Sequence, residues 1–267
     1  MLLTRHLSFE GPRWAAEGLF LQEGVSLSEL LGTSDDVRDL IRSYQTKEPA
    51  SGPLLPPIES GQEVWASGVT YRRSLVEREA ESVAADVYAK VYEAERPELF
   101  FKAVGRRVVG HEGAIRIRGD SSWNVPEPEL TLLIDSRGTI VGYTAGNDVS
   151  SRSIEGENPL YLPQAKCYEG ACALGSAIVL TSDPGEVPIT LSILRGAEIV
   201  FSGQASTSQM KRTYTDLVEH LTREMTFPDG AFLMTGTGIV PTSDFTLQSG
   251  DVVDIRVGEL VLRNDVA

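Results

Sequence analysis

A chain of 267 residues with 41% apolar residues is long enough to bury one full core and carry a smaller appendage. Its net charge of -14 and pI near 4.7 argue against a nucleic-acid partner or an anionic membrane surface, which need a concentrated basic face, but leave room for an anionic substrate captured by a local cation. No apolar run approaches the roughly 18 residues that span a bilayer, and MLLTRHLSFEGPRW has too short an apolar core for a signal peptide; the expectation is a cytoplasmic protein with free thiols at Cys167 and Cys172.

In chain order, SDDVRDLIRSY predicts a short amphipathic helix, with a Ser/Asp start and Val37, Leu40, Ile41 and Tyr44 at helical spacing. The Pro- and Gly-rich EPASGPLLPPIES cannot continue it and marks a boundary near residue 60, dividing a small N-terminal domain or arm (1–60) from the main domain (61–267). EVWASGV then predicts a strand. SLVEREAESVAADVYAKVYEAE predicts a long helix with Leu75, Val83, Val87 and Val91 on one side, stopped by Pro97. Beyond it, ELTLLID, TIVGYTAG, ITLSIL, EIVFSGQAS, GAFLMTG and DVVDIRVGELVL are short β-branched runs separated by turn residues, with one further helix in YTDLVEHLTREM. Strands without βαβ alternation predict an α+β, mostly β fold: a mixed or antiparallel sandwich or roll.

In VPEPELTLLID, Glu127 and Glu129 lie one residue apart at the head of an apolar strand, so both point to one face. Spacing alone favours a solvated strand edge. The connection DSRGT makes this run and TIVGYTAG a hairpin, which returns Asp148 to the level of the two glutamates. Three uncompensated carboxylates so close repel by several kcal/mol at an effective dielectric of about 20, so a cation is expected among them. Oxygen-only ligation suits Mg²⁺, with Mn²⁺ or Ca²⁺ as alternatives. Lys166 follows in ENPLYLPQAKCYEGACALG, which reads as a shaped lid loop; a solvent-exposed lysine is the plainer reading.

The order E-x-E, GYTAGNDVSSRS, a lysine in a Pro-containing loop and TGTGIVP resembles the fumarylacetoacetate hydrolase superfamily over roughly residues 61 to 267. PELFFKAVGRRVVGHEGAI and EGENPLYLPQAK look most like its 2-keto-3-deoxy-D-arabinonate dehydratase branch. The resemblance implies a fumarylacetoacetate-hydrolase-like mixed β-sandwich roll with a small N-terminal α/β domain. It further implies a divalent metal, usually Mg²⁺, on Glu127, Glu129 and Asp148, Lys166 near the substrate, and a homodimer or homotetramer. Hydrolases of the superfamily usually carry a histidine in a pattern like G-x-N-Y-x-x-H; here the stretch is SGVTYRRSL and Ser74 stands in its place. Without that base, water-dependent C–C cleavage loses its catalyst and dehydration is favoured.

The implied substrate is a small anionic 2-oxoacid, a 2-keto-3-deoxy pentonate giving 2,5-dioxopentanoate through a metal-stabilised enolate. Lys166 serves either as the C3 base or as a carboxylate-binding cation, and Glu98 is the candidate acid for the departing hydroxyl. Thr237 is expected to bind the substrate carboxylate, with Gly236 and Gly238 permitting close approach. Tyr71 and Arg72 are pocket candidates, with a core tyrosine and an exposed arginine as the plain alternatives. Lys102 reads as a second cation for the substrate or as a lysine reaching to solvent. His6, His111 and His220 are read as structural. Rival readings are an acylpyruvate-type C–C hydrolase, an oxoacid decarboxylase or tautomerase, and a non-catalytic metal-stabilised scaffold.

Overall fold

A computed structural model of the chain describes residues 1–33, 35–72 and 90–267. Most of the predicted long helix, including Leu75, Val83 and Val87, lies outside the described residues, as does Ser74. The N-terminal part forms β1 (Leu2–Ser8), β2 (Gly11–Ala16) and β3 (Leu19–Leu21), then α1 (Leu27–Leu31), α2 (Val37–Tyr44) and β4 (Gln45–Pro49). Asp36 caps α2 by accepting the Arg38 and Asp39 N–H groups; Val37 and Ile41 are buried, while Leu40 and Tyr44 stay partly exposed. These four strands had no sequence prediction: in β1 the burial runs exposed, buried and then mostly intermediate, so no clean period of two is written into it.

The rest comprises β5 (Glu63–Gly68), β6 (Glu98–Val104), β7 (Ala114–Ile115), β8 (Asn124–Val125), β9 (Pro128–Ile134), β10 (Ile140–Asp148) and β11 (Ser150–Ser151). Two short helices follow, α3 (Arg152–Glu157) and α4 (Leu162–Lys166), then β12 (Cys172–Leu174), β13 (Ile178–Leu180), β14 (Pro188–Arg195) and β15 (Glu198–Ser206). The chain closes with α5 (Tyr214–Thr222), β16 (Ala231–Met234), β17 (Asp251–Val257) and β18 (Leu260–Val266). DVVDIRVGELVL is therefore two strands, because Gly258 at φ 59 permits a two-residue turn where the run otherwise looks continuous.

An eleven-stranded sheet runs β4-β3-β2-β1-β13-β10-β9-β16-β5-β6, with β12 paired onto β10; a five-stranded sheet runs β15-β14-β17-β18-β7. Both are mixed: β16–β5 and β18–β7 are parallel pairs among antiparallel ones. Along β9, Leu130, Leu132 and Ile134 join an apolar cluster with Leu191, Ile193 and Ile255 of the five-stranded sheet. Leu133 joins a second cluster with Leu30, Leu31 and Ile41 of the N-terminal helices. Strand alternation puts Glu127, Glu129 and Thr131 on the Leu133 face, so the acidic pair begins where that second core ends.

Candidate active site

The β9–β10 hairpin closes as predicted from DSRGT. The Asp135 carboxylate accepts the N–H groups of Arg137 and Thr139, and Gly138 takes φ 77. The register then pairs Gly146 with Glu129 and Asn147 with Pro128, while Asp148 N–H donates to Glu127 O at 3.0 Å. One oxygen from each of Glu127, Glu129 and Asp148 lies within 4.8 Å of the others, and all three side chains are buried. Gly146 makes room for Thr131 and Met234 beside the trio: a Cβ there would run into the Thr131 hydroxyl and come within 3.1 Å of Met234 Cε.

The trio is not uncompensated, which corrects the sequence-based expectation. Lys166 Nζ donates to Glu127 Oε2 and Asp148 Oδ2, each at 2.8 Å, and to Ser150 Oγ. Lys102 Nζ pairs with Asp148 Oδ1 and donates to the carbonyls of Val149 (3.0 Å) and Lys166 (2.6 Å). Arg152 donates to Glu127 Oε1 at 2.7 Å, with Glu155 Oε2 a further 3.7 Å contact of its Nε. Three cations thus face four acidic groups, all with side chains under 5% exposed. Burying ions costs several kcal/mol each unless their hydrogen-bonding capacity is filled, and these multiple partners fill it.

Glu129 is the exception. Its Oε2 accepts the Gly236 N–H at 2.6 Å, and no cation pairs with it among the described residues. Burial, then the negative charges of Asp148 and Glu127, hold its carboxyl well above the usual carboxylate range, with Lys166 and the Gly236 N–H pulling the other way. Positive charge is wanted beside Glu129. The donor set, three carboxylates without sulfur or imidazole, fits a hard dication such as Mg²⁺. An ammonium already seated between Glu127 and Asp148 marks the same cluster as cation-accepting.

Lys166 ends α4 rather than sitting in an irregular loop, with Pro163 in the helix's first turn. Proline's preset φ explains how a Pro-containing stretch still makes one helical turn. Lys102 neither reaches solvent nor faces open space. β6 pairs Phe101 with Trp65 and Ala103 with Val64, so Lys102 is the extra residue of a bulge, and the bulge aims its amine at Asp148. Because it also holds the Lys166 carbonyl, Lys102 positions the α4 terminus.

Glu98 opens β6 opposite Gly68, and its carboxylate occupies the space a side chain at 68 would need. Phe100, two residues on and on the same strand face, lies under Lys166 Nζ, 5.6 Å from the ring centre. Gly68→Ala is therefore expected to displace the Glu98 carboxylate and lower turnover while the melting temperature changes little, since the flexible side chain can yield; turnover and thermal melts measured together check this.

Thr237 is buried and spends its hydroxyl within its own turn, donating to Ile239 O (3.1 Å) and accepting Ile239 N–H (3.2 Å). Gly236, at φ 91, serves the Glu129 carboxylate through its N–H, and Tyr71 is buried against Gly238 while Arg72 is exposed. His111 accepts the Arg263 N–H as a structural residue. Sequence reasoning missed Arg152, Glu155 and Ser150. The signal was available in NDVSSRSIEGE: three polar residues within seven positions of Asp148, on a turn leading straight into a helix.

Fold and site together define a β-roll with a buried acidic cluster built to accept a cation. The chain belongs to the fumarylacetoacetate hydrolase family: the family described as Fumarylacetoacetate (FAA) hydrolase C-terminal matches residues 63–267. It is 50% identical over 204 residues to a probable 2-keto-3-deoxyxylonate dehydratase of Haloferax volcanii, covering 75% of this chain and 70% of that one. It is 42% identical over 243 residues to the 2-dehydro-3-deoxy-D-arabinonate dehydratase of Saccharolobus solfataricus, covering 87% and 80%. A solved 2-keto-3-deoxy-D-arabinonate dehydratase complexed with magnesium and 2,5-dioxopentanoate superposes with a TM-score of 0.82 at 36% identity, over 100% of this chain and 98% of that one.

Proposed function

We propose that this protein is an Mg²⁺-dependent dehydratase of 2-keto-3-deoxy pentonates, releasing water to give 2,5-dioxopentanoate. The observation that carries the reading is the buried Glu127, Glu129 and Asp148 cluster with Lys166 hydrogen-bonded into it, in a chain half identical to one sugar-acid dehydratase. Glu127, Glu129 and Asp148 would hold the ion, which when bound supplies Lewis-acid polarisation of the C2 ketone. Lys166 takes the C3 proton, its Nζ held by three oxygens on the rim of the cluster. Glu98, two residues before Phe100 on the same strand face, protonates the hydroxyl leaving C4. Lys102 and Arg152 fix Asp148 and Glu127 in place and keep the cluster dry. Thr237 and Gly236 shape the wall beside Glu129.

The protein is proposed to act in the cytoplasm as a dimer or tetramer; no helix among the described residues is long and apolar enough to cross a membrane. The decisive test is to incubate the Mg²⁺-loaded protein with 2-keto-3-deoxy acids and weigh the products. A single product lighter by one water is expected, whereas fragments that together gain a water would replace dehydration by hydrolysis.

A further inference from the structure

The structure holds a cavity of about 180 Å³ lined by Tyr71, Arg72, Gln204, Gln209 and Gly238. Its walls come from three separate segments that are cross-braced. Thr70 Oγ1 donates to Thr235 O at 2.7 Å, Lys211 N–H donates to Thr70 O at 2.9 Å, and Tyr71 bridges Met210 in an antiparallel pair. Glycines let the walls close: a Cβ on Gly238 would come within 2.8 Å of the Tyr71 ring and 2.9 Å of Ala205 Cβ. The Gly238 wall connects the cavity to the acidic cluster. Gly236, two residues from Gly238, donates its N–H to Glu129, and burial first, then the Glu129 charge, pushes the Tyr71 phenol upward.

Among the described residues the lining side chains are one guanidinium, two carboxamides and a phenol. Such groups suit a hydroxylated anionic chain. Gln209 is preorganised: its Oε1 accepts the Ser206 N–H at 3.0 Å in a capping box, which leaves its NH₂ as the group to present. Gln204 projects from β15, with both a donor and an acceptor to match one hydroxyl or an adjacent pair.

We infer that this cavity is the subsite for the substrate's tail beyond C4, and that Gln204 and Gln209 are the residues that read the hydroxyls there. The inference rests on the oxoacid reading of the acidic cluster and adds to it where chain length is judged.

The test compares wild type, Gln204→Leu and Gln209→Glu, all Mg²⁺-loaded, on two kinds of ligand. Gln209→Glu keeps the acceptor that the Ser206 N–H needs and replaces the NH₂ donors by a negative charge, for which Gln204→Leu is the uncharged comparison. Pyruvate carries the oxoacid head without a tail; the five- and six-carbon 2-keto-3-deoxy acids carry both. Each variant is expected to raise KM for its preferred long acid about tenfold, the scale of one or two lost hydrogen bonds, with kcat, melting temperature and pyruvate affinity held. Unchanged KM in both variants, or pyruvate affinity falling in parallel with that of the long acids, would overturn the subsite. Wild type that binds neither pyruvate nor a long acid in the presence of Mg²⁺ would instead overturn the oxoacid reading, and the subsite with it.

Discussion

In the metal-free protein, Glu129→Gln is expected to hold or raise the melting temperature, Asp148→Asn to lower it, and both to abolish Mg²⁺ binding. The opposite signs follow from the partners. Glu129 is buried among like charges with a backbone N–H but no cation paired to it among the described residues, so its ionised form is disfavoured by folding. A glutamine removes that penalty and its carbonyl can still accept the Gly236 N–H. Asp148 is the anchor of two fully buried ammonium groups, Lys102 and Lys166, and removing its charge leaves both underpaired. Breaking a buried pair in this way costs roughly 3–5 kcal/mol. Calorimetric titration with Mg²⁺ and thermal melts with and without the ion provide the readouts. Because crowding favours protonated Glu129, the ion must displace a proton, and its affinity should weaken as the solution is acidified. A destabilised Glu129→Gln protein, or one that still binds Mg²⁺ as wild type does, would remove the cation from the account of this cluster.

The acidic trio could be read from the sequence because everything it needs is local. Period-two alternation sets Glu127 beside Glu129, and a five-residue turn signal brings back Asp148, so one hairpin contains the whole cluster. What could not be read is the company it keeps. Lys102 points inward only because β6 bulges against β5, and a bulge leaves no mark in a single sequence. Arg152 arrives on a helix of six residues, too short for its periodicity to register, and Lys166, which the sequence did single out, arrives on a five-residue helix where a loop was expected. Hence the repulsion argument, sound for three bare carboxylates, overstated the need for an ion at Glu127 and Asp148 while holding at Glu129. The N-terminal strands escaped for a related reason: β1 joins the long sheet through only two residue pairs with β13, and its exposure pattern carries no amphipathic signature.

Lys166→Met and Glu98→Gln should separate the two proton transfers of dehydration. Lys166 is wholly buried, its Nζ on three oxygens and above Phe100, while Glu98 stands at the start of β6 on the same strand face as Phe100. Glu127 and Asp148 favour its ammonium form, and positive charge added to the cluster shifts it toward the free amine that a base requires. Lys166→Met is expected to lower turnover roughly 10²–10⁴-fold, the usual contribution of a positioned proton-transfer group, and to stop exchange of the C3 hydrogen with solvent deuterium. Glu98→Gln should lower turnover over a similar range yet leave C3 exchange running, since the hydroxyl can no longer depart but the proton still can. Lys166→Met should also melt earlier without Mg²⁺ and recover with it, because the ion replaces the lost ammonium beside Glu127 and Asp148. Exchange that survives in Lys166→Met would move the base to another residue; exchange that vanishes in Glu98→Gln would make Glu98 that residue, leaving Lys166 to bind the substrate carboxylate.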